Sequence, residues 1–381
     1  MNRIALISGE HFLYWHALIL ALSVICAVFM YRALALRNPE DRTAAWAAVP
    51  LAFMLSLVLS RLVHWYCRPQ GYQGAWKALT DYSRGSFALI GVFAGCLLTA
   101  LILRGLRVSL SLPRMLDQMS VAGALGIAVG RLAALFTTQD RGMPVPDFLP
   151  FPIASKIENG VSGETEVRLA VFMIQALIAG ILFFTLLCSY LNGKKKRMVR
   201  EGDTCLKFLL FYCGSQAVLD SPRYDSLYFR SNGFVSIVQI FSVLTIVTIL
   251  VIFTVRMCRA GNARKLWLLL LILPLLGLAG YMEYHVQRHG GEALFAYSVM
   301  SGSMLFAVLL MMRLYKHGLR YPEAEVTPEP FMPEEDDWAH STFEEDEIRE
   351  RPVQVPSQRR SHSSSRRYQG KFSAPRNQQG R

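Results

Sequence analysis

Blocks of apolar residues, each about 20 residues long, alternate with short charged segments along most of the chain. A transmembrane helix needs about 20 mostly apolar residues, because it rises 1.5 Å per residue through a hydrocarbon core about 30 Å thick. The sixth block is the weakest, since Asp203, Lys207, Gln216 and Asp220 interrupt it. The pattern predicts nine membrane spans, at about residues 11–35, 44–67, 86–103, 115–137, 167–191, 203–220, 233–257, 266–286 and 294–315.

The composition agrees with a membrane protein. Of 381 residues, 52% are hydrophobic and only 18% are charged, whereas soluble domains average about 25% charged residues. A soluble enzyme, a secreted disulfide module and a nucleic-acid-binding domain are therefore excluded as first interpretations. The fold class that we predict is all-α, a polytopic transmembrane helical bundle.

The net charge of +12 is interpreted first as topology. Lys and Arg concentrate in the loops after the first, third, fifth and seventh spans, near residues 32–42, 104–114, 194–200 and 256–265. Cytoplasmic loops carry such an excess of basic residues. With an odd number of spans, the N-terminus is then outside and the C-terminus cytoplasmic.

From residue 318 the chain becomes polar: residues 323–350 are acidic, and the last 30 or so are rich in Arg, Ser and Gln. A segment with so few apolar residues is typical of disorder. Its basic end offers a surface for anionic lipid or RNA, but a solvated cytoplasmic tail is the favoured interpretation, and no nucleic-acid partner is expected. We thus divide the chain into residues 1–258, a helical pair at 259–317, and the tail at 318–381.

Cysteine and histidine are scattered. The seven cysteines and eight histidines show no metal-ligand or CxxC spacing, and there is no nucleotide-binding loop. We therefore predict neither a metal site nor a cofactor. The cysteines, mostly within spans, are interpreted as small buried hydrophobic residues.

The fourth span carries an arginine within its apolar part. Gly126 and Gly130 form a small-xxx-small pair that predicts close approach of another helix. Arg131 follows, and a guanidinium at this depth needs a carboxylate or a lipid phosphate as partner, unless it extends to the outer interface. Asp117, near the cytoplasmic end, is more simply explained by a side chain that reaches the interface.

A polar stripe runs along the sixth span. Spacings of four, four and three residues place Tyr212, Gln216, Asp220 and Arg223 on roughly one helical face. Such a stripe indicates either a water-accessible cavity of the size of a lipid headgroup or a hydrogen-bonded helix interface.

These two segments, in this order, resemble the prolipoprotein diacylglyceryl transferases of bacteria. Asp117, Leu125-Gly126 and Gly130-Arg131 match the fourth-span pattern of the family without a gap, and Gly142 matches a later glycine. The segment Arg84-Gly85-Ser86-Phe87, leading to Gly91, is similar to the Gly-rich start of the third span. Tyr212, Asp220, Arg223 and Gln239 fall where the family has Tyr, an acidic residue, Arg and Gln. The resemblance covers about residues 10–257.

Four positions depart from the family pattern. His16 stands where the family has an aromatic Tyr on the first span, and Leu89 where many members have His or Tyr. Ala134 replaces an Asn three residues after the fourth-span Arg. Gln216 replaces a second Arg on the sixth span.

The resemblance implies transfer of a diacylglyceryl group from phosphatidylglycerol to the lipobox cysteine of a prolipoprotein signal peptide, in the bacterial cytoplasmic membrane. Arg131, with Arg223, would hold the lipid phosphate, and Tyr212 and Gln216 would orient the headgroup. His16, or else Asp220, would be the general base. Gly130, Gly142 and Gln239 would belong to the substrate-binding segments.

Two alternatives stay open. Loss of a cation at Gln216 and of the amide at Ala134 favours a non-catalytic or retargeted relative that binds anionic lipid or lipoproteins. A transporter would need paired broken helices or an internal repeat, and neither is found in the sequence.

Overall fold

The computed structural model describes residues 4–8, 11–38, 42–80, 87–108, 111–158, 165–196, 200–229, 232–289 and 293–319. Their helices are α1 Trp15–Ala35, α2 Arg42–Cys67, α3 Ala75–Thr80, α4 Leu89–Gly105, α5 Leu112–Arg131, α6 Val171–Lys196, α7 Asp203–Leu219, α8 Ile237–Arg259, α9 Trp267–His289 and α10 Ala293–His317. The polar tail predicted from residue 318 lies, beyond Leu319, outside the described residues.

Three small antiparallel hairpins accompany the helices. They pair β1 Ile4–Ser8 with β2 His11–Tyr14, β3 Ala154–Glu158 with β4 Thr165–Leu169, and β5 Tyr228–Phe229 with β6 Asn232–Ser236. Each hairpin is separate from the others. The predicted all-α, polytopic helical bundle is confirmed.

Among the described residues, seven helices are long and apolar enough to cross a bilayer, and each corresponds to a predicted span. The third and sixth predicted spans are the 17-residue helices α4 and α7. Their length of about 25 Å falls short of a 30 Å hydrocarbon core. That α4 and α7 cross the whole bilayer stays a prediction.

Three predicted spans start too early in the sequence. Residues 11–14, 167–169 and 233–236 belong to strands β2, β4 and β6, each of which leads into the following helix. Their apolar side chains match a span by composition, but the backbone is hydrogen-bonded across a hairpin. At the last of these, Ser236 accepts the backbone N–H of Gln239 at 3.1 Å, and the Gln239 side chain accepts the Ser236 N–H. This capping box begins α8 at Ile237.

Glycines bring α2 and α4 into backbone contact. A Cβ added to Gly95 would lie 2.5 Å from the Cα of Ser56, and one added to Gly91 would lie 2.3 Å from the Cα of Ser60. Only residues without a side chain permit such an approach. The Ser60 hydroxyl then donates to the Ala88 carbonyl at 2.8 Å, which closes the contact.

The predicted small-residue contact of the fourth span is confirmed between α5 and α1. A Cβ at Gly126 would lie 3.0 Å from the Cβ of Ala27, and one at Gly130 would lie 3.3 Å from the Ser23 hydroxyl. The packing brings the start of α1 beside the end of α5 that carries Arg131.

Asp117 does not extend to the membrane interface, so the interpretation from sequence is wrong. Its carboxylate is buried and accepts the backbone N–H groups of Gly202 and Cys205, each at 2.7 Å. The free N–H groups of a helix start attract a negative charge. Asp117 on α5 therefore caps α7 from outside the helix.

The helical pair α9 and α10 packs on α7 and α8 through a large apolar core. Polar contacts join the pair to α7 near both of its ends: Tyr315 donates to Asp203 at 3.0 Å, and Ser221, which follows α7, bonds Tyr297 at 3.2 Å. Between them, a Cβ at Gly214 would lie 3.0 Å from Val308. The pair thus contacts the helix that carries the polar stripe.

The cysteines are less uniformly buried than we predicted. Cys67 and Cys213 are buried, but Cys188 and Cys258 are exposed on the outer faces of α6 and α8. The prediction that the cysteines are buried is therefore wrong for these two residues.

Candidate active site

Arg131 occupies the last position of α5 and bonds a carboxylate. The chain continues as a 3-10 turn, Leu132–Phe136, and then as a loop that returns toward the helix end. The Arg131 guanidinium donates to Asp140 at 2.9 Å, and both side chains are mostly buried. The requirement for an anionic partner is therefore met within the protein.

The loop that carries Asp140 is held by the neighbouring Arg141. The guanidinium of Arg141 donates to the carbonyl groups of Ala134 and Thr137, each at 3.3 Å, and stacks 4.5 Å from the Phe172 ring. Asp140 itself has a left-handed backbone with φ of 57°. Asp adopts this conformation more readily than most residues.

Asp140 also bonds Arg223, from the segment after α7, at 2.5 Å. Burial opposes ionisation of this carboxyl, but the charges of Arg131 and Arg223 outweigh it and hold the pKa of Asp140 below its usual range. The Asp140 backbone N–H donates to the Asp225 carboxylate at 3.0 Å. One buried carboxylate thus joins two guanidinium groups.

Arg223 binds three carboxylates. Besides Asp140, it pairs with Asp220 and Asp225 at 3.0 Å each. Asp220 is fully buried and also accepts a hydrogen bond from the Ser236 hydroxyl. Together with the Arg131–Asp140 pair, these ion pairs form a cluster of Arg131, Asp140, Asp220, Arg223 and Asp225. The cluster connects the end of α7 and its following loop to the loop after α5, and the Ser236 hydrogen bond adds the start of α8.

The polar stripe of α7 is confirmed for Tyr212, Gln216 and the C-cap residue Asp220, but not for Arg223. Tyr212, Gln216 and Asp220 are all buried at spacings of four residues. The helix ends at Leu219, and Pro222, which cannot continue it, precedes Arg223. Arg223 joins the stripe through its ion pair with Asp220 rather than by helical spacing.

Tyr212 and Gln216 have unused hydrogen-bonding capacity. Gln216 Oε1 accepts a hydrogen bond from Gln175 Nε2 of α6 at 2.9 Å. The Tyr212 hydroxyl approaches the Arg131 guanidinium. Within the described part of the chain, neither the Tyr212 hydroxyl nor Gln216 Nε2 has a hydrogen-bond partner of good geometry.

His16, a predicted base, lies in the first turn of α1 and is half-buried. It is close enough to Asp140 for the two charges to interact. The α1–α5 glycine contact brings His16 to the ion-pair cluster, although His16 is more than 100 residues from Arg223 in the sequence.

The other predicted site residues support the framework. Gly130 contacts α1, and Gly142 lies 2.9–3.0 Å, by an added Cβ, from Val171 and Leu169. Besides its part in the α8 cap, Gln239 donates to the Ala217 carbonyl of α7 at 3.2 Å. Direct substrate contact by Gly130, Gly142 and Gln239 stays a prediction.

Three site residues were missed in the sequence: Asp140, Asp225 and Gln175. Asp140 is the first acidic residue after Arg131, so the need for a carboxylate partner was a usable signal. Gln175 is a lone polar residue in the otherwise apolar start of α6, which also marks a functional candidate. Asp225 gave no signal beyond its proximity to Arg223 in sequence.

Comparison with known proteins assigns a family. A family model described as prolipoprotein diacylglyceryl transferase matches residues 3–255. A phosphatidylglycerol–prolipoprotein diacylglyceryl transferase of Streptococcus uberis is 25% identical over 243 residues, covering 63% of this chain and 92% of the relative. One of Oceanobacillus iheyensis is 21% identical over 245 residues, covering 63% and 85%.

The family match includes every residue of the ion-pair cluster, and α9 and α10 lie beyond it. The resemblance seen in the motifs around Arg131 and Tyr212 is therefore confirmed. This chain is a multi-pass membrane protein that belongs to the prolipoprotein diacylglyceryl transferase family.

Proposed function

We propose that this protein transfers a diacylglyceryl group from phosphatidylglycerol to the lipobox cysteine thiol of prolipoproteins. The observation that carries the proposal is the pair of mostly buried guanidinium groups, Arg131 and Arg223, bonded to the single carboxylate of Asp140. A lipid phosphate is also an anion that accepts forked hydrogen bonds, so it competes with Asp140 for the same donors.

In the proposed reaction the cysteine thiol first loses its proton to a base. The thiolate sulfur then bonds to the terminal carbon of the diacylglyceryl group. At the same time the bond from that carbon to the phosphate oxygen breaks, and the headgroup leaves as glycerol phosphate. Arg131 and Arg223 stabilise the charge that develops on the leaving phosphate. Tyr212, beside Arg131, orients the headgroup.

His16 is the base that we favour over Asp220. The Asp220 carboxylate already accepts hydrogen bonds from Arg223 and Ser236 and is fully buried, so it is poorly placed to receive another proton. The His16 imidazole is partly accessible and lies near Asp140, at the ion-pair cluster where the lipid phosphate is proposed to bind. We assign Asp220 to positioning Arg223.

The proposal is tested with the purified protein, labelled phosphatidylglycerol and a lipobox peptide. We expect label on the peptide and none on a peptide with serine for cysteine. Arg131→Lys keeps the charge but loses the fork, so we expect at least a 100-fold slower transfer, on the order seen when one donor to a developing anion is lost. Arg114→Lys, in an ion pair with Glu201, is the matched control. Absence of transfer where another family member is active would refute the proposal.

The alternative is a relative that binds anionic lipid or lipoproteins without transfer. It is favoured by the neutral Gln216, which bonds Gln175 and stands where the family pattern has a second arginine. On this reading Gln216→Arg creates or sharply raises transfer. The alternative would be excluded if the wild-type protein is active and Gln216→Arg leaves that activity unchanged or lowers it.

We also propose that the protein lies in the bacterial cytoplasmic membrane with the Arg131 end of α5 outward. The basic loops near residues 104–114 and 194–200 support this orientation by the positive-inside rule. The site then opens on the side from which exported prolipoproteins are processed, and the tail from residue 318 is cytoplasmic.

A further inference from the structure

Two buried glutamines face each other between α6 and α7. Gln175 and Gln216 are 1% and 3% exposed, and one hydrogen bond of 2.9 Å joins them. Gln175 Oε1 and Gln216 Nε2 have no hydrogen-bond partner in the described residues. The assignment of oxygen and nitrogen in the two amides does not change this conclusion. If both amides are flipped, one hydrogen bond still joins them, and one carbonyl oxygen and one NH₂ group remain without a partner.

Leaving these atoms unpaired is costly. A buried donor or acceptor without a partner loses its hydrogen bonds to water and gains none in return. The Tyr212 hydroxyl, also buried, is a third such group within the described residues. All three are neutral, and together they offer a donor, an acceptor and a hydroxyl that acts as either. A hydroxyl group both donates and accepts, so it complements this set.

The amide pair lies beside the guanidinium groups. Gln216 is four residues from Tyr212, which approaches Arg131, and four residues from Asp220, which bonds Arg223 at 3.0 Å. Asp140 closes the ring by bonding both arginines. If Arg131 and Arg223 hold a phosphate, the headgroup attached to that phosphate would therefore lie near the two amides.

We propose that Gln175, Gln216 and Tyr212 form a neutral subsite for the hydroxyl groups of a glycerol headgroup, next to the phosphate on Arg131 and Arg223. The inference rests on the proposed function and extends it, because Gln175 and selection among headgroups are new. In this protein the amide pair takes the place of a second cation on α7. It selects the headgroup by hydrogen bonding instead of adding charge.

The test compares two short-chain lipids that carry the same phosphate charge, phosphatidylglycerol and a phospholipid with a propanol headgroup, which lacks both hydroxyls. Binding to the purified full-length protein is measured by displacement of a fluorescent phosphatidylglycerol, without peptide. We expect wild type to bind the glycerol lipid about tenfold more tightly, the effect of one to two net hydrogen bonds. In Gln175→Met the ratio falls below about twofold.

The matched control is Gln118→Met. Gln118 is equally buried and bonds Tyr190, but it lies 13 residues before Arg131 on α5, about 20 Å away along the helix. It should keep the tenfold ratio. If Gln175→Met does not fold, Gln216→Met tests the same pair from the opposite helix.

Equal binding of both lipids by wild type, or an unchanged ratio in the folded Gln175→Met or Gln216→Met variant, would overturn the subsite. Because peptide is absent, this result is separate from the transfer assay. A protein that transfers without headgroup preference refutes the subsite alone. One that shows the preference but never transfers refutes the transferase proposal and retains the subsite as a binding site.

Discussion

At the scale of single residues, the site depends on one carboxylate. Asp140 bonds Arg131 and Arg223 at 2.9 and 2.5 Å, so it neutralises two mostly buried cations at once. Removing one member of a buried ion pair leaves the other charge uncompensated, which costs far more than the intact pair contributes. We therefore expect Asp140 to be central to stability as well as to the proposed anion site.

For Asp140→Asn we expect a loss of about 3 kcal/mol in the free energy of unfolding, since two buried guanidinium groups lose their shared anion. Thermal unfolding in detergent measures it, and added phosphatidylglycerol should recover part of the loss by supplying an anion. Glu166→Gln is the control, because Glu166 pairs with Arg168 at a more exposed position. Equal stability of Asp140→Asn and wild type would contradict this role.

The same carboxylate makes stability depend on pH. Its pKa is held below the usual value by Arg131 and Arg223. Its contribution is fully present above the unfolded-state pKa of about 3.9 and is lost as the pH falls through the lower folded-state value. The stability difference between wild type and Asp140→Asn should thus be constant from pH 7 to about pH 5 and shrink on further acidification.

At the scale of elements, small residues determine which helices touch. The α2–α4 contact places the Ser56 backbone within 2.5 Å of a Cβ on Gly95, whereas a Cβ on Gly180 of α6 meets nothing within 4 Å. Both glycines lie inside helices, so replacing either one with alanine gains about the same helix propensity. Only the tertiary environment distinguishes them.

We therefore expect opposite effects of two alanine substitutions. Gly95→Ala forces α2 and α4 apart and should lower the free energy of unfolding by about 1–3 kcal/mol, the usual cost of overpacking. Gly180→Ala should be neutral or stabilise by up to about 1 kcal/mol. Thermal unfolding of both variants in one detergent checks this, and equal midpoints would rule out the backbone contact.

The helical pair α9–α10 contacts α7, the helix that carries the polar stripe. Asp203, at the start of α7, is fully buried and bonds both Arg256 at 2.6 Å and the Tyr315 hydroxyl at 3.0 Å. Tyr315→Phe removes a hydrogen bond to a buried charge, so a loss of about 1.5–3 kcal/mol in unfolding free energy is expected. Tyr281→Phe, on an exposed face of α9, should change nothing measurable. Similar unfolding of the two variants would show that the contact is not stabilising.

At the scale of the whole molecule, we expect charge outside the helices to orient the bundle in the membrane. The proposed topology places residue 141 outside and residue 318 in the cytoplasm. Alkaline phosphatase fused after residue 141 should be active, and green fluorescent protein fused after residue 318 should fluoresce. Activity of a phosphatase fused after residue 318 would invert the orientation and place the arginine cluster on the cytoplasmic side.

Much of the fold was predictable because apolar length and helical period are local properties. The long helices, a close helix contact at Gly126 and Gly130, and the placement of Tyr212, Gln216 and Asp220 on one face follow from spacing alone. The identity of the contacting helix, α1, and the burial of the stripe did not. The starts of three spans were not predictable, since an apolar strand that leads into a helix has the composition of the helix. Leu13 and Val235, for example, lie in hairpins.

The apolar blocks and the spacing of polar residues were sufficient to predict a helical membrane protein with a cation, Arg131, at the end of one span and a polar stripe on another. The partners of those residues became apparent only in the folded chain: Asp140 for the arginines, Gln175 for Gln216, and the start of α7 for Asp117. The physical reason is that helix formation depends on neighbours a few positions apart. Ion pairs and buried hydrogen bonds depend instead on the paths of loops and on helix contacts between residues far apart in sequence.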